Sequence, residues 1–147
     1  MAYKLMLPGQ PDGLPFLWNV SQHVGRLKNH PNRPTDVELV QFLVVENLNR
    51  GLLGFNGSPG SKAPPLAVDG RFTAILGFWI FYCELDMQSV DGVVSPAHGM
   101  VYGPRGAWAI SKLNYWLSHA DFALWSGLDD NPRLSPALRA ELKRTAP

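Results

Sequence analysis

Phe72-Thr73-Ala74-Ile75-Leu76-Gly77-Phe78-Trp79-Ile80-Phe81-Tyr82-Cys83-Glu84-Leu85 decides the fold. This stretch is apolar on nearly every face. Its apolar centre, Ala74 to Cys83, falls well short of the roughly 20 residues that cross a bilayer, so no membrane span is expected. A helix of this kind either fills a core or buries one side and offers the other to a partner. The sequence leaves both open, with Phe78, Trp79, Phe81 and Tyr82, and Trp116 further on, as the core or interface candidates. A Val-Asp-Gly turn stands on each side, Val68-Asp69-Gly70 before it and Val90-Asp91-Gly92 after it. Such turns use glycine because it adopts backbone geometry that a Cβ resists.

Upstream, Pro34-Thr35-Asp36-Val37-Glu38 predicts a helix start, with Thr35 as N-cap and Glu38 completing a capping box. Val37, Val40, Gln41, Val44 and Leu48 continue at helical spacing, and Gly51 supplies the stop. Residues 1–34 are rich in Pro, Gly and Asn and read as an extended arm, in which Tyr3–Leu7 and Leu17–Val20 have strand character. Residues 54–65 read as an exposed, mobile loop. Downstream, a helix is expected from Ala107 to His119, with Ile110, Leu113, Asn114 and Leu117 along one side. A last helix is expected with Ser135 as cap and Pro136 at its first position. The expected fold is mainly α: a compact helical bundle over 35–106, an irregular N-terminal arm over 1–34, and a C-terminal helical extension over 107–147 packed on the core.

Charged residues make up only 17% of the 147, and a charge-poor exterior favours burial in an assembly. The net charge is +1 with Lys and Arg scattered, so the basic stripe that nucleic acid requires is missing. A single cysteine, Cys83, cannot form an intramolecular disulfide and reads as a buried thiol. The first residues lack the apolar core of a secretory signal, which predicts synthesis in the cytoplasm and delivery outside, if any, by lysis or a dedicated apparatus.

Catalytic chemistry finds little purchase. There is no Gly-x-Ser-x-Gly elbow, and Ser95-Pro96-Ala97-His98 reads as a turn with a surface histidine. His23, His30, His98 and His119 lack paired metal-ligand spacing, and the acids follow no calcium-loop pattern. Gly103-Pro104-Arg105-Gly106 lacks the Gly-Lys-Ser/Thr ending of a phosphate cradle. No metal, no cofactor and no catalytic residue is expected.

Val37-x-x-Val40-Gln41-x-Leu43, then Leu66-Ala67-Val68-Asp69-Gly70-x-Phe72-Thr73 with the apolar helix, then Val90-Asp91-Gly92-Val93-Val94-Ser95-Pro96, resembles the peptidoglycan-binding domain family over roughly residues 24–96. Thr73 follows Phe72 directly where that family has Gly-Pro-x between them, and its Phe-Gln pair falls at about Tyr82-Cys83. The resemblance implies a small three-helix fold with two Asp-Gly turns and a shallow groove near Asp69-Gly70 and Asp91-Gly92. Tyr102 and Trp108 would stack on sugar there, with Arg105 or Asn114 bonding a peptide stem.

Three functions follow as expectations. The favoured one is a non-catalytic structural module, a subunit of a phage-like particle, secretion apparatus or filament, whose partners are other copies of itself or other subunits. Five Trp and seven Phe suit such an interface. The alternatives are a cell-wall (peptidoglycan) binding module and a small enzyme acting on cell-wall glycan.

Overall fold

The structure, a computed structural model, describes residues 1–7, 14–52, 66–85, 87, 90–98 and 108–146. Helices dominate: α1 (Pro34–Asn49), α2 (Ala74–Cys83), α3 (Ala109–Ala120), α4 (Phe122–Ser126) and α5 (Pro136–Leu142), with a 3-10 turn over Leu128–Asp130. The mainly α expectation holds, and short strands accompany the helices. The loop over 54–65 lies outside the described residues.

The centre of the protein is α1 rather than the apolar stretch. Its Val37, Leu39, Val40, Leu43 and Val44 have no exposed surface, and it touches α2, α3 and α5. It begins two residues earlier than the capping-box signal predicts, with Arg33 rather than Thr35 at the N-cap and Pro34 at N1, and no side chain caps it. The acids near its start are used elsewhere. Asp36 accepts from the backbone N–H of Ser21 and Gln22 and from the Ser21 hydroxyl. Glu38 accepts from the backbone N–H and hydroxyl of Ser135. The carboxylates thus fasten both ends of the chain to the central helix, which gains more than a local cap offers. At the other end Gly51 takes φ +66° and closes the helix as expected.

The N-terminal arm is not irregular. Its strands β1 (Tyr3–Met6) and β2 (Phe16–Asn19) pair antiparallel from Tyr3↔Asn19 to Met6↔Phe16. The last strand of the chain, Thr145–Ala146, pairs parallel on the far side of β1. Val24–Gly25 (β3) and Val93–Val94 (β4) form a second, two-stranded ladder. Leu17, Trp18 and Val20 are fully buried beside Leu138 and Leu142 from the C-terminal segment, so arm, centre and extension share one hydrophobic core.

α2 does begin at Thr73, whose hydroxyl accepts from the N–H of Leu76 at 3.3 Å. It buries Leu76, Trp79, Ile80 and Cys83 and leaves Ile75, Phe78 and Phe81 outside. Its C-terminus is held by Lys112 of α3, whose buried ammonium donates to the Cys83 carbonyl at 2.6 Å. A cation suits that end of a helix, where carbonyls lack intrahelical partners. The helix is therefore a flank of the core with one face outward.

Candidate functional site

The two Asp-Gly turns bracket α2 and are built alike. In the first, Gly70 takes φ +76° and the Asp69 carboxylate accepts from the N–H of Arg71 at 3.0 Å. Gln41 reaches across from α1: its Oε1 accepts from Asp69 N–H at 3.0 Å and Gly70 N–H at 2.8 Å. Its Nε2 donates to the Asp69 carboxylate at 3.1 Å and to the Arg71 carbonyl at 2.9 Å. The Arg71 N–H, and then the Gln41 amide, hold the Asp69 carboxyl below the usual carboxylate range. In the second turn Gly92 takes φ +73° and Asp91 accepts from the N–H of Val93 at 3.0 Å. Here the reaching group is Glu84, whose Oε1 accepts from Gly92 N–H at 2.8 Å. Burial, and then the neighbouring Asp91 carboxyl, push Glu84 up to about 8. A protonated Glu84 at neutral pH does the work that the Gln41 amide does in the first turn.

These turns place an open groove of about 410 Å³ against the outer face of α2. Phe72, Phe78, Phe81, Ala74, Gly77, Gly92 and Arg26 line it. Phe72 leaves the first turn to lie against Gly77, where a Cβ would stand 3.4 Å from its ring. Phe81 lies beside Gly92 of the second turn. Arg26 follows directly on β3, whose Gly25 is clasped by Asn32: the Gly25 N–H donates to Asn32 Oδ1 at 2.9 Å and Asn32 Nδ2 donates to the Gly25 carbonyl at 2.8 Å. Phe78 is 51% exposed and Phe81 49%. Ile75, on the same helix, and Leu27, next to Arg26 in the chain, are exposed too, as are Leu85 and Val90.

The residues read from sequence divide. Asp69 and Asp91 border the groove region, but each spends a carboxylate oxygen on its own turn. Asn114 is a correction: it is fully buried and cannot meet a ligand. Its Oδ1 accepts from Trp18 N–H at 2.9 Å and from the Trp125 indole at 2.8 Å, and its Nδ2 donates to the carbonyls of Trp18 and Ile110. Trp108 is half-buried against His98, at 4.6 Å between ring centroids, and does not line the groove. Tyr102 and Arg105 lie outside the described residues. Among the core or interface candidates, Trp79 is core, Tyr82 is half-buried, Phe78 and Phe81 are surface, and Trp116 stands exposed on α3. Sequence reasoning did not single out Arg26, Gly77 or Glu84. Glu84 has a legible signal, since it follows the apolar helix and precedes a second Asp-Gly turn, as Gln41 precedes the first.

Elsewhere, the His23 Nδ1 lies 3.0 Å from the Ser95 hydroxyl, so Ser95 meets His23 rather than His98. Among the described residues no group of three or more His, Cys, Asp or Glu is placed to hold a metal ion. No helix of the described residues is long and apolar enough to cross a membrane.

No protein-family model matches the chain, and neither does any curated protein or solved structure.

Proposed function

We propose that the chain is a non-catalytic assembly module that docks another protein on the outer face of α2. One observation carries this reading: Phe78 and Phe81 stand half in water on a helix whose opposite side is completely buried. Covering the exposed half of such a side chain stabilises a complex by about 1 kcal/mol, so two of them together beside an open groove support a contact surface. The low charge of the chain agrees with this. The setting we favour is a subunit of a phage-like particle, secretion apparatus or filament, its partners being other subunits or further copies of the chain. The test is co-assembly. Light scattering and cross-linking of wild type against the double change Phe78→Ser/Phe81→Ser should show association lost while the melting temperature is kept. Unchanged association in the double variant would refute the assignment of this face.

The groove also favours a second reading, binding of cell-wall glycan on a peptidoglycan-binding-like fold. Three phenylalanine rings beside two Asp-Gly turns offer flat apolar faces of the kind sugar rings stack on. Retention on purified sacculi, abolished by the same double change, is the outcome this reading requires. Wild type that does not sediment with sacculi ends it.

A further inference from the structure

We propose that the second Asp-Gly turn is a proton-held latch: a proton shared between Glu84 and Asp91 keeps residues 90–93 closed over the end of α2, and its loss lets that turn open while the rest of the fold stays in place. The inference stands apart from the docking reading and needs no partner for its test. Its basis is the contrast between two turns of one design. In the first, the Gln41 amide supplies an acceptor to Asp69 and Gly70 N–H and a donor to the Asp69 carboxylate. An amide has no proton to lose, so that closure is independent of pH. In the second, the corresponding group is the buried Glu84 carboxyl, which accepts from Gly92 N–H at 2.8 Å and is hydrogen-bonded to the Asp91 carboxyl. Asp91 in turn accepts from Val93 N–H at 3.0 Å. Two carboxyls in contact, one of them buried, hold one proton between them, because ionising both sets like charges side by side away from water.

The other charges on the surrounding elements do not take the place of that proton. Lys112 of α3 gives its ammonium to the Cys83 carbonyl at 2.6 Å. Arg26, next after β3, lines the groove together with Gly92, and His23, just before β3, meets the Ser95 hydroxyl. On α1, which packs on α2, Asp36 is held by Ser21 and Gln22, Glu38 by Ser135, and Glu46 by Arg50 and Arg133. Asp91 outweighs them all as the charge that Glu84 feels. Burial, and then Asp91, hold the Glu84 proton up to about 8, whereas in water it leaves near 4.5. The closed turn therefore binds a proton that the open turn has released. Between those values opening grows with pH, by at most about tenfold per unit, and it levels off above about 8. Opening stops at β4, because Val94 is fully buried and pairs with Val24. Gly92 lines the groove, so the latch sets one of its walls.

The experiment is amide hydrogen exchange of the full chain, followed by NMR at pH 6, 7 and 8, with three N–H groups read in one sample. Gly92 reports the latch, Gly70 the turn held by an amide, and the fully buried Leu43 of α1 the opening of the whole fold. Dividing the Gly92 rate by the Gly70 rate cancels the base catalysis that all amides share. In wild type this ratio should rise about tenfold or more from pH 6 to 8, with Leu43 exchanging far more slowly than Gly92. Glu84→Gln keeps the acceptor for Gly92 N–H and should leave the ratio level. Asp91→Asn keeps the acceptor for Val93 N–H, offers Glu84 a donor, and should shrink the rise. A wild-type ratio that stays level from pH 6 to 8, or a Gly92 that exchanges only at the rate of Leu43, overturns the proposal whatever the variants do. So does an E84Q protein whose ratio rises as steeply as that of wild type. No reading here involves Phe78 or Phe81, so failure of the latch and failure of the docking face are separate results.

Discussion

Replacing Glu84 by Gln should make the protein more stable at pH 8 and remove most of the pH dependence of its folding above pH 5. In the folded chain Glu84 is 3% exposed, accepts from Gly92 N–H and neighbours the Asp91 carboxyl. Its proton is therefore held up to about pH 8, whereas in an unfolded chain it leaves near 4.5. Between those values the folded state binds a proton that the unfolded state has released, so stability falls as pH rises across that window. Below about 4.5 the group costs nothing, and above about 8 the full cost is present and constant. Each pH unit inside the window costs at most about 1.4 kcal/mol. Relaxation of the surroundings reduces the total to on the order of 3 kcal/mol. A glutamine keeps the acceptor for Gly92 and offers Asp91 an N–H, the arrangement that Gln41 already makes with Asp69. Urea unfolding followed by tryptophan fluorescence at several pH values from 4.5 to 8.5 measures the effect. E84Q and wild type should coincide near pH 4.5 and separate by roughly 2–3 kcal/mol at pH 8.5, with E84Q the more stable. A wild-type stability that stays level from pH 5 to 8, or an E84Q protein weaker than wild type at pH 8.5, would refute the reasoning.

Other perturbations follow from the same geometry. Asn114→Ala strands the Trp18 N–H and the Trp125 indole inside the core, and thermal unfolding should show a loss of about 3 kcal/mol or more. Gly70→Ala places a Cβ 2.9 Å from the Pro34 carbonyl oxygen at φ +76°, whereas Gly51→Ala at φ +66° meets nothing within 4 Å. Urea titration should therefore rank Gly70→Ala clearly worse, at about 2–3 kcal/mol against about 1 kcal/mol. Trp79→Ala should cost about 3–5 kcal/mol, while Phe78→Ser, the adjacent residue but outside the core, should stay within about 0.5 kcal/mol by the same assay.

What the sequence disclosed was local. Val37, Val40, Gln41, Val44 and Leu48 announce α1 because spacing along a helix is set by backbone geometry alone. Ser135-Pro136 announces α5, and its hydroxyl does accept from Leu138 N–H. Both Asp-Gly turns are legible because glycine at positive φ is a one-residue requirement. What stayed hidden depends on partners far along the chain. Thr35 and Glu38 have capping-box spacing, yet Glu38 binds Ser135, 97 residues on. Trp18 is core because Asn114 and Trp125, 96 and 107 residues away, satisfy its polar atoms. Asn114 shares one side of α3 with Ile110, Leu113 and Leu117, and only the family resemblance makes it a ligand contact; its buried role depends on Trp18, far along the chain, and on Trp125. Within α2, a sequence apolar on every side could not say that Phe78 and Phe81, unlike Trp79 and Ile80, face outward.

The polar groups set around the groove bear on the proposed docking face. Gln41 fixes the turn from which Phe72 emerges, Glu84 fixes the turn against which Phe81 rests, and Asn32 clasps the strand end that presents Arg26. None of these groups fills the groove. Gln41 and Glu84 each spend a buried group on one of its borders, and Asn32 a half-buried one, so desolvation is incurred at the rim of the slot. A surface that served only to cover the core would gain more by folding Phe78 and Phe81 inward than by framing them. Framing reduces the entropy that this chain must lose on contact, as a preorganised binding surface does.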